Sequence, residues 1–109
     1  SEARYNRHAF TYQVFSESTD RFLVPVDLSF ADEESGYRQE DRLYMFELND
    51  KNLPQMASFQ SIGQIVVEGE GWQASRHRSV IDGDAVYYVN GTSVWSALWA
   101  LPEIQNGPL

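Results

Sequence analysis

The chain has 109 residues, enough for one domain with a single modest core. A hydrophobic content of 42% and a charged content of 22% fit a globular protein, and the absence of cysteine excludes disulfide frameworks, thiolate zinc sites and cysteine nucleophiles. Only 8 Lys and Arg stand against 16 Asp and Glu, so the formal charge is -8, which repels phosphate backbones and anionic lipid and argues against nucleic acid or a membrane surface as partner.

No apolar run reaches the roughly eighteen residues that a spanning helix needs. The chain opens on "SEARYN" without an initiator Met, the expectation for a processed or excised piece of a longer protein. Aromatic residues make up 14%, a share that favours pleated sheets and interfaces. Helical periodicity is scarce, while period-two and short continuous apolar runs recur.

In chain order, "HAFTYQVF" (8–15) alternates around Phe10, Tyr12 and Val14, and "SESTD" (16–20) turns the chain into "RFLVPVDLSF" (21–30). These two segments read as a hairpin, with Pro25 marking a kink or an edge position. "ADEESGYRQED" (31–41) reads as a long acidic loop, and "RLYMFEL" (42–48) as the third strand. "NDKN" (49–52) is a turn, followed by a weaker fourth strand in "LPQMASFQ" (53–60). "SIGQIVVEGEGW" (61–72) holds one apolar run, Ile65 to Val67, before the glycines at 69 and 71. "RHRSVIDG" (76–83), "DAVYYVNG" (84–91) and "TSVWSALWAL" (92–101) read as three strands joined by tight turns at Asp82-Gly83-Asp84 and Asn90-Gly91. "PEIQNGPL" (102–109) reads as a terminator.

The expected architecture is all-β: a single domain, residues 1–109, of antiparallel four-stranded meanders in two units, about 8–60 and 62–101. Such units match about two β-propeller blades, and a β-sandwich is the alternative. His8-Ala9-Phe10, Leu23-Val24-Pro25-Val26 and the run from Arg78 through Asp82-Gly83-Asp84 to Tyr87 carry a more particular likeness. In this order and spacing they resemble the closing part of a bacterial secreted β-propeller family whose C-terminal propeller is distantly related to WD repeats. The likeness covers residues 5–101, with Asp82 inserted and Val86 differing from the commoner pattern and the 31–41 segment unmatched. It implies C-terminal blades only, an extracytoplasmic (secreted or periplasmic) location, and no catalytic activity.

The residues themselves nominate few sites. Asp32, Glu33, Glu34, Glu40 and Asp41 could offer carboxylate oxygens to calcium, but the segment lacks EF-hand order and reads as a solvated loop. Asp82 and Asp84 flank a glycine turn that explains itself without a cation. His8 and His77 are the only imidazoles; Ser79 shares a strand face with His77, yet no nucleophile elbow accompanies it. Glu68 and Glu70 beside Trp72 could imitate a glycosidase pair, but the glycines around them favour a bend. Asn90-Gly91-Thr92 matches a glycosylation sequon and is read as a hairpin turn. Trp72, Trp95 and Trp99 are the candidate interaction residues; Trp95 and Trp99, four apart on one expected strand, would share a face, as core, as interface or as a glycan platform.

The expectation is therefore a non-enzymatic scaffold or protein-interaction domain without a cofactor. Its partners would be other copies of itself or the remaining blades of a parent protein. A ligand-binding module for glycan or calcium is the alternative. An enzyme completed by absent blades comes third, with no nucleophile or metal triad to support it.

Overall fold

A computed structural model describes residues 3–7, 10–32, 36–69 and 78–109. Among them all regular structure is β, in two antiparallel sheets. The first sheet contains β1 (Ala3–Arg7), β2 (Thr11–Val14), β3 (Asp20–Asp32), β4 (Gly36–Asn49) and β5 (Ser58–Gly69). The second contains β6 (Arg78–Asp82), β7 (Ala85–Asn90), β8 (Ser93–Leu98) and β9 (Leu101–Asn106).

β1 and β2 lie end to end along one side of β3, Arg7 pairing with Val26 and Thr11 with Leu23. The first sheet is thus a meander four strands wide, β3 pairing β4 and β4 pairing β5. Pro25 faces the interruption between β1 and β2, so its missing N–H falls where that ladder has a break. On its other side Pro25 pairs in register with Leu43. The second sheet is a plain β6-β7-β8-β9 meander.

Strand length sets the molecular shape. β4 has 14 residues, and at ~3.3 Å per residue it spans about 46 Å, which accounts for the 48 Å long axis. The strands of the second sheet have 5 or 6 residues, so that sheet covers only part of one face of the first. Between them lies one core: Leu23, Leu43, Met45 and Ile65 from the first sheet against Val86, Tyr88 and Ala97 from the second, with Trp99. On β3 and β4 the inward residues are the odd-numbered ones, as period-two alternation requires.

The structure corrects several boundaries. The segment 31–41 is not a long acidic loop: β3 continues to Asp32 and β4 starts at Gly36, with Asp32 and Gly36 already paired. Its charges prompt a loop reading, but β4 gains a ladder on both sides as far as Gln39, against Ser29 and Gly69, and backbone pairing outweighs weak strand propensity. Residues 53–56 form turns instead of a strand, with Leu53 N–H bonding Asp50 C=O at 2.9 Å and Met56 N–H bonding Leu53 C=O at 2.7 Å. β5 therefore starts at Ser58 and belongs wholly to the first sheet, so the division expected after residue 60 moves beyond Gly69. The expected strand 92–101 is two strands: β8 stops at Leu98, Trp99 and Ala100 make the turn, and β9 runs through part of the expected terminator.

The turn expected at Asn90-Gly91 shifts by one residue to Gly91-Thr92, while the other stays within Asp82-Gly83-Asp84. Gly83 and Gly91 have φ of 61° and 62° and occupy the first central positions, between the pairs Asp82–Ala85 and Asn90–Ser93. A lone positive φ at that position is the type II′ pattern. Asn90 stays in the ladder, where its carboxamide is buried and donates to Asp41.

Two contacts seal the seam between the sheets at β5. The Gln105 carboxamide imitates a neighbouring strand: its oxygen accepts from Val66 N–H at 3.1 Å and its nitrogen donates to Val66 C=O at 2.9 Å. Nearby, Pro102 sits so close to Gly63 that an added Cβ would lie 2.6 Å from the Pro102 Cβ.

Candidate functional site

The outer face of the first sheet, opposite the core, carries a connected aromatic cluster. Cross-strand pairing brings Tyr12, Phe22 and Phe46 level with one another, because Tyr12 pairs with Phe22 and Phe22 with Phe46. Phe10 and Phe59 complete the group from either side, with Tyr44 next to Phe46. Ring centroids are 5.2 Å apart for Tyr12–Phe22 and Phe46–Phe59, and 5.9–6.2 Å for Phe22–Phe59, Tyr44–Phe46 and Phe10–Phe22. Phe10, Tyr12 and Phe59 remain 57%, 50% and 59% exposed. Just beyond, Leu53, Pro54, Gln55 and Met56 line a shallow concavity of about 380 Å³ with no titratable group.

The outer face of the second sheet is also apolar. Val80 pairs with Tyr87 and Ala85 with Leu98, so these side chains share a face with Val89 and Val94. Val80 and Leu98 are each half exposed. Among the described residues each sheet thus carries apolar side chains on its outer side as well; on the first sheet the exposed ones gather around Phe10, Tyr12 and Phe59, while Val26 on the same face is buried.

The charged residues near the core are engaged in holding the sheets together. The Arg21 guanidinium lies 3.6 Å from the Phe15 ring centroid and 4.6 Å from that of Trp99. It donates to Gly83 C=O at 3.2 Å and to the Asp84 carboxylate at 3.1 Å. A buried arginine between two rings, bonded across the sheets, is a structural clamp. At the other end of the core, Tyr88 is fully buried and Asn90 donates to Asp41 at 2.9 Å. Burial, then the negative charges of Asp41 and Asp27, push the Tyr88 hydroxyl well above its ordinary pKa, while a hydrogen bond with Asn90 acts the other way. A phenol so deeply enclosed has no route to a substrate.

The residues singled out by sequence come to separate places. Asp84 already receives a cation, Arg21, and Asp82 is exposed at the same turn. Asp32 ends β3, whereas Glu33 and Glu34 lie outside the described residues, as do His8, His77, Glu70 and Trp72. Glu40 bonds Arg42 at 2.6 Å, and Glu68 is exposed opposite Glu40 in the register. Ser79 is taken up by Thr11, whose hydroxyl lies 2.8 Å from the serine oxygen and donates to Ser79 C=O at 3.0 Å. Trp95 and Trp99 do not stand on one strand face. Trp95 packs against the core under Gly107, and Trp99 is a buried turn residue over Arg21. Neither offers a free stacking platform. Among the described residues, no group of three or more His, Asp or Glu could hold a metal ion, and no helix is long and apolar enough to cross a membrane.

The aromatic cluster was the feature that sequence reasoning missed. A signal for it exists: in Phe22-Leu-Val-Pro-Val26 both parities are apolar, the mark of a strand covered on two sides. Fold and site together define an all-β protein of two stacked antiparallel meanders with an exposed aromatic patch on the outer face of the first sheet. Comparisons with family models, with curated proteins and with solved structures each found no match to this chain.

Proposed function

We propose that the chain is a non-enzymatic scaffold or protein-interaction module, the C-terminal blade pair of a secreted bacterial β-propeller protein. The observation that carries this reading is the aromatic outer face of the first sheet, matched by a smaller apolar outer face on the second. Surfaces of this kind mark association sites. Two consecutive antiparallel meanders stacked through one core are what adjacent blades supply, and the resemblance described above supports the blade assignment and the extracytoplasmic location. The polar groups within the core make bonds between sheets and leave no evident machinery for a reaction.

A glycan- or calcium-binding module is the competing reading, and the packed Trp95 and the Arg21–Asp84 bond count against it. Thermal unfolding with calcium or with a chelator, together with a glycan array, separates the two. The interaction module predicts unchanged melting and an empty array. A melting temperature raised by calcium, or a reproducible saccharide signal, would replace it.

A further inference from the structure

We propose that the outer face of the first sheet binds a second copy of this chain, forming a two-fold symmetric dimer; the inference rests on the interaction-module reading and names its partner. The first support is area. Aromatic side chains present roughly 150–250 Å² each, so half-exposed Phe10, Tyr12 and Phe59, with 58% exposed Val14 and the partly buried rings between them, leave on the order of 500 Å² open. Two such faces in contact bury about 1,000 Å², the lower bound for a specific interface and the size of a weak, reversible one.

The second support is charge. The chain carries -8, yet on this face Asp20 is bonded by Lys51 at 2.5 Å and Glu40 by Arg42, with Glu68 standing at the far end. These ion pairs neutralise Asp20 and Glu40 on the face, which lowers the repulsion there between two equally acidic copies. The third support is shape. Ring planes are inclined by 40–54° for Phe10–Phe22, Tyr12–Phe22 and Phe22–Phe59 and by 20–29° for Phe46–Phe59 and Tyr44–Phe46, an uneven surface between whose rings the side chains of another copy fit.

Symmetry follows from the unequal sheets. A second-sheet face, built on strands of 5 or 6 residues, covers about half of a face built on strands of 12 to 14. Pairing the aromatic patch with its own copy buries the largest exposed apolar side chains on both sides, and the same patch on both copies closes at two without an open end. Aligned packing of two twisted sheets provides the geometry.

Sedimentation equilibrium and light scattering on the whole chain test this. The expected result is a concentration-dependent dimer mass, with Phe59→Lys and Tyr12→Lys weakening dissociation constants by about 100-fold or more and Val80→Lys leaving them unchanged. Circular dichroism melts identify variants that stay folded, and Phe59→Ser is the milder substitute. A strict monomer over the whole concentration range overturns the self-docking proposal. So does a dimer broken by Val80→Lys but not by Phe59→Lys, or a mass that rises without limit. Because the chain has no cysteine, a spin label on Ser61→Cys, paired with Phe46, gives a second readout. Coupling between labels of two copies is expected, and its absence in a dimer moves the interface elsewhere. None of these failures decides the interaction-module reading, which falls only on the calcium and glycan results.

Discussion

The two faces of the first sheet differ less in composition than in what lies over them. Leu23, Leu43, Met45 and Ile65 on the inner face are completely buried, because a second sheet is laid against them. Phe10, Tyr12 and Phe59 on the outer face stay half exposed, although the two phenylalanines are comparably apolar. The inner face is also bounded by charge, with Arg21 bonded to Asp84 at one end and Asp41 to Asn90 at the other. Those polar contacts tie the two sheets together at both ends of the core. Hydrophobicity alone does not tell a core face from a docking face; the presence of an ordered partner layer does.

Substitutions on the inner face should therefore cost folding stability, and the largest loss is expected from Leu43→Ala. It leaves a cavity between the sheets, and urea unfolding should show a loss of about 2–5 kcal/mol. Gly63→Ala comes next, at about 1–3 kcal/mol, because the new methyl must displace Pro102 and open the β5–β9 seam. Adding Pro102→Gly should return part of that loss; a purely additive double variant would place the strain elsewhere. Arg21→Lys keeps the charge but loses the planar fork between Phe15 and Trp99, and about 1–2 kcal/mol should go with it.

Tyr88 adds a pH dependence to the same seam. Its folded pKa lies above the unfolded value of 10.0, so the unfolded chain releases the phenolic proton first as pH rises. The stabilisation is complete below about pH 10 and declines above it. Denaturant midpoints from pH 8 to 11 should fall at the alkaline end, and Tyr88→Phe should flatten that fall. The smallest effect belongs to the outer face: Phe59→Ser, measured at high dilution, should cost the monomer about 1 kcal/mol through its lost contacts with Phe22 and Phe46. A much larger loss there would mean that the aromatic cluster serves mainly to stabilise the monomer itself.

Much of the fold was legible in the chain. Alternation in residues 10–14 and 42–48, the polar turn at 16–20, and the glycines at 83 and 91 identify strands and hairpins that the structure contains. Pro25 was readable as an edge-like position for the same local reason, the donor it lacks. The misread segments share a cause. Residues 31–41 looked like a loop, 53–60 like a strand and 92–101 like one strand, and each was settled by a neighbour distant in sequence. β4 is held between β3 and β5; Phe59 is in a strand because it pairs with Leu48; Trp99 turns out of β8 to cover Arg21. Of the site, the apolar residues were visible one by one, but their meeting on a single face was not. That meeting depends on Tyr12, Phe22 and Phe46 falling level in the ladder.

The residues by themselves determined the all-β class, the turns and the acidic balance, since strand alternation, glycine φ and formal charge are properties of short stretches or of simple sums. Which apolar face became core and which stayed bare was decided only by tertiary structure. Both parities of β3 are apolar, and the choice between them is made by where the second sheet lands and by the Arg21–Asp84 and Asp41–Asn90 bonds that hold it there.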